Sequence, residues 1–317
     1  METAPPTEPP GTPPGPPSPP ERFFDTIFLK DEQLRVGWRL LLYGLFVVML
    51  GFGTLTLLPE LFPPGRGEFS FEYTFVEELA TFLVVFAAAL IMAQIEKRPA
   101  GAYGLPLRSA FRGLFWQGCL FGWIEISGVI GLMALRGGYS FGSLALHGMQ
   151  IIQWGLAWAA FFLVVGFYEE FLFRGYTQFT LGEGIGFWPA ALMLSFTFGF
   201  VHHTNPGENA FGLVSVMLAG LFWSFTLRRT GNLWFAVGMH AGFDFGETFL
   251  YSVPDSGVVW PGHLSNAVLR GPAWLTGGTP GPEASVFDFA ILIAFFFIFH
   301  RLYPAKVARQ QDVTSSR

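Results

Sequence analysis

The sequence predicts an all-α protein, a polytopic transmembrane helix bundle of about eight spans. Three observations predict it. Hydrophobic residues make up 51% of the 317 positions and charged residues only 13%, where a soluble domain carries about 25% charged residues. The mean hydropathy is +0.45, more apolar surface than one water-soluble core encloses. The apolar residues also fall in runs close to the roughly 20 positions that a helix needs to cross the hydrocarbon layer. The same composition excludes a disordered chain. A net charge of −5 without any dense basic run excludes nucleic acid as a partner. The single Cys119 excludes an intrachain disulfide and a cysteine zinc site.

Residues 1–21 hold ten prolines in their first twenty positions. They read as an extended, solvated tail that cannot form a helix. No apolar segment follows Met1, so a cleavable signal peptide is not expected. Residues 22–35 mix Phe, Ile and Leu with charges and suit a short amphipathic helix on the membrane surface. A transmembrane domain then covers 36–303, with spans at 36–59, 74–95, 111–135, 150–173, 186–203, 210–227, 232–251 and 286–303. The fifth and sixth are short and close together, so one of them is a candidate re-entrant segment. The Gly- and Pro-rich stretch 252–285 is the longest connection, and 304–317 forms a short tail.

Lys and Arg set the orientation. Arg22, Lys30, Arg35 and Arg39 precede span 1, and Lys97, Arg98, Arg108 and Arg112 lie between spans 2 and 3. Arg228 and Arg229 lie between spans 6 and 7, and Lys306, Arg309 and Arg317 follow span 8. The alternate connections hold only Arg66, Arg136 and Arg270. This bias predicts eight spans with both termini cytoplasmic, and a bacterial inner membrane suits it.

Ionisable side chains inside a bilayer are costly and face a cavity or a partner. Three apolar helices carry them in a recurring pattern: Glu169, Glu170 and Arg174 in span 4; His202 in span 5; His240 and Asp244 in span 7. Glu170 and Arg174 are four apart and share a helix face, as do His240 and Asp244. Glu169 points about 100° away from Glu170 and is free of that pair. If these helices pack together, two Glu, two His and an Asp meet in one polar pocket. Such residues bind a divalent metal through N and O ligands, or activate water with Glu as base and His as donor. Glu77, Glu78, Glu125 and Glu247 are further acids inside the spans; Glu125 has no sequence partner and suits either a cavity wall or a bond to a neighbouring helix.

The ordered trio EExxxR at 169–174, FxxxH at 198–202 and Hxxx(N/D) at 240–244 resembles the CPBP family, the CAAX proteases and bacteriocin-processing proteins also called Abi. The resemblance covers a core at about 110–250, and 275–285 (LTGGTPGPEAS) is similar to a loop of some bacterial members. It implies an intramembrane endopeptidase with a polar cavity open to the cytoplasmic side. It further implies that Glu169 is the water-activating base, that Glu170 supports it and pairs with Arg174, that His202 binds metal or positions the water, and that His240 and the residue at 244 bind metal or stabilise the oxyanion. A divalent metal such as zinc on Glu169, His202, His240 and Asp244 and a metal-free glutamate route are both consistent with it. Eukaryotic relatives carry Asn where this chain has Asp244. Ionised Asp only accepts hydrogen bonds, which suits a ligand or a His-orienting group better than an oxyanion donor. The implied partners are a peptide or protein substrate, lipidated in the eukaryotic relatives, and the lipid bilayer.

The charge-derived orientation carries one conflict. If span 4 ends at 173, Glu169 lies near its cytoplasmic end, whereas His202 lies about 16 residues, or about 24 Å, along span 5. One helix must depart from a simple span for the two to meet. Among rival motifs, HExxH and GxGD are absent. Gly138–Gly142 matches GxSxG but sits in a loop between membrane helices, where a nucleophile elbow needs a strand, a sharp turn and a helix. A non-catalytic scaffold, immunity factor or peptide-binding protein would use the same pocket. A transporter would show inverted repeats, and none is visible.

Overall fold

All eight apolar runs form helices in the computed structural model, which describes residues 27–30, 33–63 and 69–304. The helices are α1 (Val36–Leu61), α2 (Phe71–Ile95), α3 (Gly113–Leu135), α4 (Met149–Arg174), α5 (Tyr176–Ile185), α6 (Phe187–Val201), α7 (Ala210–Thr230), α8 (Trp234–Phe245) and α9 (Val286–Leu302). The fold is an all-α membrane bundle. Five segments, α1, α2, α3, the α4–α5 run and α7, are long and apolar enough to cross a membrane. Helices α6, α8 and α9 are shorter, at 15, 12 and 17 residues.

The Pro-rich tail 1–21 lies outside the described residues, as does the terminal segment beyond 304. Of the surface helix expected over 22–35, residues 27–28 are helical and the following residues depart from it. There Leu29–Lys30 (β1) pairs antiparallel with Gln33–Leu34 (β2). A two-residue ladder reverses the chain just before α1, and a continuous helix through the same positions could not do so.

Helix α8 is the centre of the bundle. Ten of its twelve residues are buried, so protein rather than lipid surrounds it. Its seat is a pair of interlocking GxxxG patterns. A side chain at Gly118 or Gly122 of α3 would strike the backbone of Phe235 or Met239, and one at Gly238 or Gly242 of α8 would strike Phe115 or Cys119. Small residues let membrane helices approach to backbone contact, where dispersion replaces the missing hydrophobic drive. On its other side α8 meets Gly166 of α4 at Val237 and Ala241.

The basic helix ends gather at one end of the bundle. The buried Arg39 of α1 pairs with Glu96 after α2 at 2.6 Å and with Glu183 of α5. Arg98 reaches the same two acids. Arg229 of α7 meets His300 of α9 at 2.6 Å. The other connections share the opposite end: Tyr139–Ser140 (β3) pairs with Val268–Leu269 (β4), and Phe69 contacts Trp260. Ser140 of the GxSxG match is thus an exposed strand residue in this loop layer and forms no nucleophile elbow.

Replacing Gly122 by Leu is expected to force α3 and α8 apart. Overpacking a tight contact costs about 1–3 kcal/mol, and here the obstacle is backbone, which cannot rotate away. A lowered unfolding temperature of the detergent-purified protein relative to Gly131→Leu, at a glycine with open space beside it, checks this.

Candidate active site

The α8 interlock places His240 in the middle of the bundle, between Gly238 and Gly242. Its ring stacks on Trp223 of α7 with centroids 4.4 Å apart and planes 12° apart. Its Nδ1 lies 3.1 Å from Glu170 Oε1. Glu170 also accepts from Arg174 Nη1 at 3.2 Å, and both members of that pair are fully buried. A carboxylate facing Arg can only accept, so Nδ1 carries the donated hydrogen. The opposite edge of the ring, Nε2, faces Asp244 Oδ2 at 3.4 Å and Glu169 Oε2 at 3.7 Å.

Arg174 is held from several sides. Its guanidinium lies 4.3 Å from the Phe198 ring centroid and 5.4 Å from that of Trp223. Cation–π contact of this kind contributes about 2 kcal/mol when desolvated. The space exists because α7 has glycine at 220, where any side chain would strike Arg174 Nη2. Phe198 thus carries the cation and is more than packing.

The conflict over depth resolves in the helix path. The α4 helix does not stop at 173. After a break at Gly175 the chain continues as α5 to Ile185 and returns through Gly186 into α6. Glu169 lies sixteen residues before Ile185, and His202 lies fifteen after Phe187. At 1.5 Å per residue the two are level across this hairpin. The Phe173–Phe198 ring contact at 5.0 Å fixes the register.

Glu169, His202, His240 and Asp244 therefore line one cavity of about 320 Å³. Glu170 and Arg174 sit behind its wall. Glu169 keeps 23% of its side chain accessible, against none for Glu170. His202 donates from Nδ1 to Phe198 O at 2.7 Å, since a carbonyl only accepts. Glu125 proves to be a cavity residue, as does Glu78.

Sequence reasoning missed several lining residues: Ser215 and Asp288, joined by a 2.8 Å hydrogen bond, and Asp255 and Glu283 from the 252–285 connection. Asp288 and Glu283 stood at the edge of an apolar run and inside the LTGGTPGPEAS stretch, and both were legible as acids there. Asp255 had no local signal. Burial pushes the Asp255 carboxyl up to about 6, partly offset by the Thr248 hydroxyl that donates to it at 2.9 Å. Burial raises Glu283 well above the usual carboxylate range, and neighbouring acids add to that.

The four expected metal ligands have suitable chemistry, since both His residues leave Nε2 free of their Nδ1 hydrogen bonds. Their donor atoms do not close as a set. Among the described residues, Glu247, Asp255 and Glu283 are the group whose ligand atoms lie within 4.8 Å of one another. The loop layer also contributes to the cavity. Asn205, Pro206, Ser256, Val258 and Trp260 line it, and these belong to connections at the end opposite the basic helix ends.

With this geometry in place, comparison with known families matches residues 151–246 to the model described as "Rce1-like: Type II CAAX prenyl endopeptidase Rce1-like". Residues 151–246 are thus similar to the Rce1-like endopeptidases. The match supports assignment to the CPBP, or CAAX-protease, family. It spans α4 to the end of α8, and so all six residues of the three motifs. No curated protein and no solved structure matches the chain. Helices α1, α2, α3 and α9 lie outside the matched segment, and Glu78 of α2, Glu125 of α3 and Asp288 of α9 reach its cavity.

Arg174→Leu is expected to destabilise the protein by about 3–5 kcal/mol, because it leaves Glu170 buried without its cation. Glu170→Leu combined with Arg174→Leu is expected to recover most of that stability without recovering function, since His240 then lacks its Nδ1 acceptor. Thermal unfolding of the two variants beside wild type measures the difference.

Proposed function

We propose that the protein is an intramembrane endopeptidase of the CAAX-protease type, acting with a Glu-activated water. The observation that carries this reading is the asymmetry of the glutamate pair. Glu170 is fully buried and committed to Arg174 and His240, while Glu169 faces the cavity 3.7 Å from His240 Nε2. A general base needs that accessibility, and contacts of this kind tighten only when substrate is bound.

In the reaction, a water beside Glu169 gives up a proton to the carboxylate as its oxygen bonds to the scissile carbonyl carbon. His240 in its protonated form, held by Glu170 at Nδ1, turns its Nε2–H from Asp244 to the developing oxyanion. His202 positions the water through Nε2. The proton on Glu169 then passes to the amine as the C–N bond breaks. Every step uses groups on this chain.

The substrate is a peptide segment that enters from the loop-covered end. With basic ends in the cytoplasm, as the Lys and Arg bias supports, that end is the non-cytoplasmic face. A lipidated segment suits the apolar groove of about 580 Å³ between α3 and α4, lined by Trp116, Trp123 and Leu156 and closed on its inner side by Ala241 and Gly242.

Cleavage of quenched peptides, lipidated and plain, by the purified protein tests the reading. Glu169→Gln is expected to lower turnover about 10²–10⁴-fold with unfolding temperature unchanged; full activity in that variant would remove Glu169 from the base role. The access side is tested separately. In a Cys119→Ser background, Ser256→Cys is expected to react with a membrane-impermeant maleimide added outside sealed cells. Labelling only after the membrane is opened would place the cavity on the cytoplasmic face.

A further inference from the structure

At the loop-covered wall of the cavity lies a second constellation that the endopeptidase reading does not use. Glu247 is in the π-helical turn Gly246–Leu250 that continues α8, and Asp255 and Glu283 come from the two ends of the following connection. One carboxylate oxygen of each lies within 4.8 Å of the others. Asp255 and Glu283 face the cavity, whereas Glu247 lies behind them and is fully buried.

Acids gathered in this way do not make a site. The state of Glu247 is what points to a ligand. Both of its carboxylate oxygens are buried and have no hydrogen-bond partner, and Glu283 Oε1 is in the same condition. Among the described residues no Lys, Arg or His forms an ion pair with any of the three. Buried carboxylates without donors are costly, and natural proteins leave very few such groups unmet. The backbone holds the three together regardless. Val253 N donates to Glu247 O at 3.1 Å, and Gly257 N donates to Pro280 O at 2.8 Å. The second bond joins the two ends of the connection beside Asp255 and Glu283.

We propose that Glu247, Asp255 and Glu283 bind one hard divalent cation of the calcium class, which ties the 252–285 connection to the end of α8. An all-oxygen, all-carboxylate set selects calcium or magnesium over softer metals. Calcium suits it better, because it accepts flexible protein-only oxygen shells, whereas magnesium retains several waters. The cation neutralises the cluster and fixes the loop layer over the cavity. This inference stands apart from the endopeptidase reading and uses none of the groups assigned to the reaction.

The test is calcium binding by the full-length protein in detergent after chelator treatment. Added calcium is expected to bind saturably at one ion per chain and to raise the unfolding temperature by several degrees. Magnesium at equal concentration is expected to give a smaller shift. Glu247→Gln, and separately Glu283→Gln at the cavity-facing position, are expected to lose the bound ion and the shift, while Glu169→Ala keeps both. No saturable binding by the wild-type protein would overturn the proposal and leave the cluster as carboxyls sharing protons. Undiminished binding in a folded Glu247→Gln or Glu283→Gln protein would overturn it as well, as would equal shifts with magnesium. Peptide cleavage plays no part in these readouts, so a failed protease assay leaves the outcome intact.

Discussion

The structure depends first on the backbone contact between α3 and α8. Four glycines, two on each helix, let these helices touch without side chains between them. In a bilayer, where apolar side chains gain nothing by leaving lipid for protein, such close dispersion contact is what holds a short helix in the interior. At 12 residues α8 is too short to gain its place from length. Because it is seated there, His240 and Asp244 project from one face toward α4 and Glu247 follows at its end.

A second layer of order comes from the buried Glu170–Arg174 pair. Two charges in a low-dielectric interior are tolerable only when each has a partner in good geometry. Arg174 has Glu170 on one side and the Phe198 ring on another, and the same Glu170 oxygen, Oε1, also accepts from His240. The pair therefore fixes the imidazole tautomer and its rotation as well as the packing of α4 on α6 and α7. Neighbouring glutamates on one helix acquire different environments as a result. One is an internal strut, and the other faces a cavity where water and a peptide can reach it.

The loop layer gives the cavity its acidic character. Asp255, Glu283 and Asp288 join Glu78, Glu125, Glu169 and Asp244 on its lining. This concentration arises where the 202–209 and 252–285 connections meet, at the end remote from the Arg39, Glu96, Arg98 and Glu183 network. Charge is thus segregated along the bundle: cations and their partners secure one end, and carboxylates surround a cavity near the other.

Sequence alone determined the membrane class, the positions of the helices and the six motif residues, because hydropathy and the placement of charges within apolar runs are local properties of the chain. The Gly118–Gly122 and Gly238–Gly242 patterns were equally present in it, although only a folded partner shows which glycine rows face each other. Tertiary structure alone decided three things. It showed that α4 runs on through α5, which brings Glu169 level with His202, because a break at Gly175 does not end a helix whose next turns still pack. It placed a short ladder between residues 27–28, which are helical, and α1, because Leu29–Lys30 pairs with Gln33–Leu34. It also brought Asp255 and Glu283 to Glu247, because closing a long connection depends on backbone bonds between distant residues and leaves no periodic trace in the sequence.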